Sequence, residues 1–372
     1  MFMASKPQIE LVYSKVDYPW SSFCFDAVLK DCPSLQMGFR HDPLLFWGDL
    51  MTLTVLARSG PRILYDREVL TMEDGGTISL DWVLRTENGS MGSLGPELAD
   101  SQAILVLLHG LSGGSDESYV RSMANLAAEQ CQFRVVAYNF RCCGSTPVTA
   151  GITYSAAWTE DFRHVINYLH NKYPNAPLFA AGFSLGANVL VKYLGEEGSR
   201  CPLVAASAVS NPLHLMSANK MLRKGLGYVY DFVLAMGLVD KFKPLIRYLK
   251  KYKYPYEINW DAISQVQTVQ DFDECFTRRM FGFESVFDYY RKGSSLQFLQ
   301  DDSIIDVASM DKQLILRNPN LVLALTKRGG HVAWHESLHP SKPQWGDRST
   351  LEFFCAIFHH RMALGMPQPT RR

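Results

Sequence analysis

The sequence has no excess of charge of either sign: Lys+Arg and Asp+Glu both number 37 in 372 residues, and no long basic run occurs. A nucleic-acid groove needs such a run, so nucleic acid is not expected as a partner. Its eight cysteines (Cys24, Cys32, Cys131, Cys142, Cys143, Cys201, Cys275, Cys355) show neither C-x-x-C spacing nor a compact framework. That argues against a zinc site and a secreted disulfide scaffold, and for a reducing compartment. No apolar h-region follows basic residues between Met1 and Tyr13, so no signal peptide is read. The most hydrophobic N-terminal stretch, Leu44 to Ala57, is broken by Gly48 and Asp49 and is too short to span a bilayer; it reads as a helix packed on the domain surface. The expected location is cytoplasmic or peripheral to a membrane.

What the chain does have is a run of buried-strand signals alternating with helical periodicity. Arg62 to Trp82 alternates around the turn Asp74-Gly75-Gly76 and predicts a hairpin. Ala103 to Leu108 and Phe133 to Tyr138 are continuous apolar runs typical of strands covered on both faces. Helices are expected over Tyr119 to Gln130 and Ala156 to Tyr173, with a further strand over Leu203 to Ser210. This alternation predicts an α/β fold with a doubly wound, mostly parallel sheet. Between Asn211 and Tyr290 it stops, and about eighty residues of helical spacing intervene, far more than an ordinary connection. The expected organisation is an N-terminal wrapping segment (1–60), a core (61–210 and 291–372) and a helical cap inserted at 211–290. Leu213, Leu215, Met216, Met221, Leu222, Leu226, Tyr230, Phe232 and Met236 are expected to pack the cap's helices, a minority of them lining an acyl pocket. The basic cluster Lys250-Lys251-Tyr252-Lys253 reads as a solvated face that could also meet anionic lipid.

Gly182-Phe183-Ser184-Leu185-Gly186 lies between the apolar strand Leu178-Phe179-Ala180-Ala181 and a helical stretch from Ala187 to Leu194. Strand, sharp turn with serine at its tip, and helix make a nucleophile elbow, and its glycines are needed because the turn leaves no room for side chains. Serine is a poor nucleophile until a base takes its proton. His331, in Arg328-Gly329-Gly330-His331, follows the strand Leu321 to Thr326 and is the expected base; His335 and His339 read as surface residues. The orienting acid should precede that strand, where Asp301, Asp302 and Asp306 are candidates and Asp302 is preferred. The oxyanion hole requires backbone N–H groups. Leu185, after the serine, and Leu111, in His109-Gly110-Leu111-Ser112-Gly113-Gly114, are the expected donors, with His109 a structural residue under the loop.

With these residues in place the chain resembles the α/β-hydrolase superfamily, specifically the branch of embryogenesis-associated and bacterial YheT-type hydrolases that includes the animal α/β-hydrolase domain proteins one to three. The resemblance runs from roughly Tyr65 to Trp345. It rests on Asp74 to Trp82, His109 to Ser115, Trp158-Thr159-Glu160-Asp161, the elbow, Asp271-Phe272-Asp273, Phe281-Gly282-Phe283 and Arg328 to His331. It implies a serine ester hydrolase acting on lipid-like substrates such as phospholipids or acylglycerols, with Ser184, Asp302 and His331 as triad and neither metal nor organic cofactor.

The chain departs from that branch in three ways. The membrane-spanning N-terminal helix usual in eukaryotic relatives is not seen, so the protein is soluble or peripheral, or the sequence starts after it. Cys142 stands where relatives carry a glycine, which implies a strained loop or, alternatively, a reactive low-pKa thiol. Only ten residues, Arg291 to Gln300, join Tyr290 to Asp301, on the order of a dozen fewer than a returning strand needs. Either Leu296 to Gln300 forms a substitute strand, or the sheet has a gap and the acid is misplaced. In the latter case the protein is a catalytically impaired hydrolase fold that binds a lipid or a protein. Acyl transfer to an acceptor other than water would use the same triad.

Overall fold

The structure is a computed structural model and describes residues 9–15, 25–45, 48–86, 89, 101–298, 312–337, 339 and 342–365. Its strands, in chain order, are β1 (Ile9–Tyr13), β2 (Leu64–Thr71), β3 (Thr77–Arg85), β4 (Ile104–Leu108), β5 (Arg134–Asn139), β6 (Leu178–Phe183), β7 (Leu203–Val209) and β8 (Val322–Thr326). Six of them form one sheet in the order β2-β3-β5-β4-β6-β7. β5, β4, β6 and β7 are parallel, and the hairpin β2–β3 adds an antiparallel edge. The hairpin turns through Gly75, whose φ of 79° suits glycine, as Asp74-Gly75-Gly76 predicts.

Alternation along the central strands divides the core into two faces. Ile104, Val106 and Leu108 of β4 point one way and Leu105 and Leu107 the other, all with no exposed surface. Each such aliphatic side chain contributes about 1.5–3 kcal/mol relative to exposure. One face is covered by α4 (Ser118–Gln130) and α14 (Trp345–Ala363), with the N-terminal helices α1 (Phe25–Lys30) and α2 (Pro33–Met37) packed on α14. A fourth N-terminal element, α3 (Gly48–Ala57), lies beside the turn that follows β8.

The opposite face is covered by α5 (Glu160–Lys172), α6 (Leu185–Glu197) and helices between β7 and β8: α7 (Leu215–Leu222), α8 (Gly227–Phe242), α9 (Ile246–Leu249), α10 (Val269–Phe272), α11 (Arg278–Phe281) and α12 (Val286–Gly293), whereas α13 (Lys312–Arg317) packs on β1. The inner stripe of α8 is Ala235, Leu238, Val239 and Phe242, at helical spacing and buried in the same core as the sheet. Phe242 meets Phe272, Phe276 and Tyr154 at ring-centroid distances of 5.4, 5.2 and 6.1 Å. The expectation that the apolar residues of 211–290 mostly pack the cap's helices holds for some of them and not for others. Leu215, Met216 and Met236 do so, but Met221, Leu226 and Phe232 are exposed by 63%, 50% and 50%.

Two further expectations change. Ser295–Phe298, which includes three residues of the proposed substitute strand, forms a 3₁₀ turn instead; Leu299 and Gln300 lie outside the described residues. Among the described residues β8 does not join the main sheet, but pairs antiparallel with β1, Ile9 opposite Thr326 and Tyr13 opposite Val322. Cys131 at the end of α4 and Cys355 in α14 are joined by a disulfide across 224 residues. The spacing of the cysteines gave no hint of this pair, because only packing of α14 on α4 brings them together, and it counts against the reducing compartment expected from that spacing.

Candidate active site

Three of the motifs that carried the resemblance, Asp74 to Trp82, His109 to Ser115 and Trp158 to Asp161, are tied by polar networks around Arg141 and Asp81. Arg141 donates two bonds to Asp161 (2.7 and 2.8 Å) and one to Asp74 (2.5 Å), and its guanidinium lies 5.9 Å from the Trp158 ring. It thereby ties the hairpin turn to the start of α5, and the carboxylates hold the guanidinium charged despite its burial. Asp81 accepts from Arg67, Ser115 and Asn139, while Asn139 Oδ1 accepts the Ser115 N–H at 2.8 Å. This fixes the downstream end of the 109–114 loop. Cys142, in the glycine position, has φ 63°, so the strained backbone is real. The reactive-thiol alternative fails, because burial pushes its pKa up to about 12.

Ser184 sits at the carboxyl end of β6 with φ 52° and ψ −117°, in the conformation of a strand-to-helix elbow. Its glycines are sterically required. A Cβ on Gly186 would lie 2.5 Å from the carbonyl oxygens of Leu108 and His109, and one on Gly182 would lie 2.6 Å from the Gly186 carbonyl. The 109–114 loop passes directly beside the serine, since a Cβ on Gly110 would meet Ser184 Cβ at 3.4 Å. Within this loop Gly110 N–H donates to the Tyr119 hydroxyl (2.9 Å), Ser112 N–H to the Tyr154 hydroxyl (2.9 Å) and Gly113 N–H to the Gly110 carbonyl (3.2 Å). Leu111 N–H, between them, has no acceptor among the described residues. Leu185 opens α6, where an N–H has no intrahelical acceptor. His109 is wholly buried, bonded to Gly110 O and Phe140 N and stacked edge-on with Phe140, and burial lowers its pKa to about 3. That is the structural position expected of it.

His331 Nε2 lies 2.8 Å from Ser184 Oγ. The imidazole keeps an edge to solvent yet is crowded by protein atoms, and this loss of hydration holds its pKa below the ordinary 6.5, favouring the neutral form. Three contacts that the sequence did not announce hold it there. His331 N–H donates to Thr52 Oγ1 of α3 at 2.9 Å, and Thr52 in turn donates to Gly48 O at 3.0 Å. Val332 N–H donates to Ser210 Oγ at 2.9 Å. Gly330 and Ala333 close a two-residue bridge. Val332 has φ 55°, which a β-branched residue adopts only when its surroundings force it. Ser112 (54°), Ser184 (52°) and Ser210 (53°) share that left-handed region, so backbone strain gathers around Ser184 and His331. The only trace of Thr52 in the sequence was its place in an apolar N-terminal helix.

Asp301, Asp302 and Asp306 lie outside the described residues. His339 is exposed as expected, but His335 is 7% exposed and not a surface residue; burial and Arg58 lower its pKa to about 4. A cleft of ≈ 540 Å³ opens beside the Cys131–Cys355 disulfide, lined by Asp31, Phe133, Arg348, Glu352 and His359 among others. It adjoins the amino end of β5, whereas Ser184 stands at the carboxyl end of β6, so the cleft has no part in this site.

The alpha/beta hydrolase fold family matches residues 103–291, which contain the elbow and the 109–114 loop. Embryogenesis-associated protein EMB8 of Picea glauca is 38% identical over 338 residues, covering 86% of this chain and 72% of that protein. Phospholipase ABHD3 of Homo sapiens is 30% identical over 351 residues, covering 90% of this chain and 83% of its own length. A monoacylglycerol lipase of Saccharomyces cerevisiae is 30% identical, with 71% of this chain and 61% of that protein covered. The chain belongs to the alpha/beta hydrolase fold family. Among the described residues no helix is long and apolar enough to cross a membrane.

Proposed function

We propose that the protein is a serine hydrolase of lipid-like carboxylic esters, working through an acyl-enzyme. The observation that carries this reading is the 2.8 Å contact between His331 Nε2 and Ser184 Oγ at a strained elbow, and we assign the Leu111 and Leu185 N–H groups as the oxyanion donors. Ser184 Oγ attacks the acyl carbonyl while neutral His331 takes its proton, and the two N–H groups bind the developing oxyanion. His331 returns the proton to the departing alcohol oxygen. Water, activated by the same imidazole, then releases the acid and restores the serine. Asp302 is the carboxylate we assign to orient Nδ1 of His331.

Lipid esters are the favoured substrates because two relatives are named as a phospholipase and a monoacylglycerol lipase. We treat 211–290 as the cap that selects among them. No cofactor or metal is required by this chemistry. A second reading, a hydrolase fold that binds lipid or protein without turnover, is favoured by one observation: β8 stands outside the main sheet among the described residues. Labelling with a fluorophosphonate probe separates the two. Ser184-dependent labelling, abolished in Ser184→Ala, is expected, with ester hydrolysis falling by at least ~10³-fold. A well-folded wild-type protein that takes no label would sink the hydrolase assignment.

A further inference from the structure

The turn between α7 and α8 and the outer face of α8 carry an unusual surface. Met221, Leu226, Tyr228, Val229, Phe232 and Val233 are 41% to 63% exposed within fourteen consecutive positions beginning at Lys220. Lys220, Arg223 and Lys224 are exposed among them. The one carboxylate in that stretch, Asp231, is turned inward, 1% exposed, and accepts the Val269 N–H at 2.7 Å. Within this stretch the exposed charges are therefore all positive, and the exposed Asp49 borders it at the Tyr230 hydroxyl. Such a combination matches the interface of an anionic bilayer, where apolar side chains enter the acyl boundary and lysines meet headgroups.

We infer that this face of α7–α8 seats the protein on an anionic lipid surface. The flank of α8 explains why docking there would matter. Tyr230 OH donates to Asp49 O of α3 at 2.9 Å, three residues from Thr52, which holds His331. Lys241 Nζ donates to Gly113 O of the loop beside Ser184 at 3.2 Å. One helix thus carries this outward face and, along its flank, touches both sides of the candidate active site. The inference builds on the lipid-ester reading, since it brings the serine to where such substrates reside, but its physics does not depend on turnover.

The test uses the full chain carrying Ser184→Ala, so that vesicles are not consumed, in sedimentation with phosphatidylcholine vesicles with and without phosphatidylserine. Binding to the anionic vesicles is expected, weakening as salt rises. Lys220→Gln with Lys224→Gln should weaken it roughly 30-fold at low salt, at about 1 kcal/mol per lysine. Leu226→Glu with Phe232→Glu should weaken it at least ~10-fold. Equal binding to neutral vesicles, no binding to either, or binding that neither pair of substitutions changes would overturn the inference. So would light scattering that shows a dimer split by Leu226→Glu with Phe232→Glu, because the face would then be covered by a second copy. With Ser184 intact, both double variants should hydrolyse a water-soluble short-chain ester as the parent does. Vesicle binding without ester hydrolysis in the parent would retain the docking face and discard the hydrolase reading.

Discussion

The proposed nucleophile and base, Ser184 and His331, stand 2.8 Å apart but are built on opposite plans. Ser184 belongs to the main sheet, and its geometry follows from local sterics: glycines at 182 and 186 are the only residues that fit between β6, β4 and α6. His331 follows β8 of a separate two-stranded sheet and is held by Thr52 of α3, with the next residue, Val332, held by Ser210 after β7. The first half is specified within a dozen residues. The second is assembled from both ends of the chain, so it is the half where position is adjustable and damage is selective.

The largest effect expected from breaking this contrast is on the elbow side. Gly186→Val should force Cβ into two carbonyl oxygens and cost about 3 kcal/mol, lowering the thermal midpoint and abolishing activity together. On the base side, Thr52→Val removes the acceptor of the His331 N–H without changing side-chain size much. Stability should fall by only about 1–2 kcal/mol, with kcat reduced roughly tenfold and KM little changed. Equal losses of stability in the two variants would refute the contrast.

The pH profile sharpens it further. Burial lowers the His331 pKa below 6.5, so activity, which needs neutral imidazole, should rise with pH through that depressed value when no carboxylate engages Nδ1. An engaged Asp302 stabilises the imidazolium and moves the midpoint upward. Asp302→Asn should therefore shift the acid limb of kcat/KM to lower pH while reducing kcat; an unmoved limb would show that another group orients the histidine. The smallest effect on catalysis is expected from Cys131→Ser with Cys355→Ser. This disulfide lies at the other end of the sheet, and its loss should lower stability by about 2–4 kcal/mol with kcat unchanged.

The sheet, its hairpin edge and the elbow were legible because each is a local pattern. β4 and β6 are unbroken apolar runs, and the Asp74-Gly75-Gly76 turn and the Gly182–Gly186 elbow need particular residues at particular positions. His331 was legible from the glycines before it. What supports it was not, because Thr52 and Ser210 act through single hydroxyls and neither has a spacing signature. The exposed face of α8 was misread for a related reason. Its Leu and Phe residues have the helical spacing of a packing stripe, and spacing alone does not say which stripe of an apolar helix faces inward. The shortened segment before β8 was visible as missing length, but the use of β1 to pair β8 was not.

That pairing has a consequence for biogenesis. β1 emerges from the ribosome early, while the strand it must join is synthesised about 300 residues later. Until then β1 is an unpaired edge awaiting a partner, and the histidine has no place to dock. The elbow half can fold as it is made, whereas the base is delivered last. Chains that stall before β8 would display a formed serine elbow with no base beside it, inert until synthesis is finished.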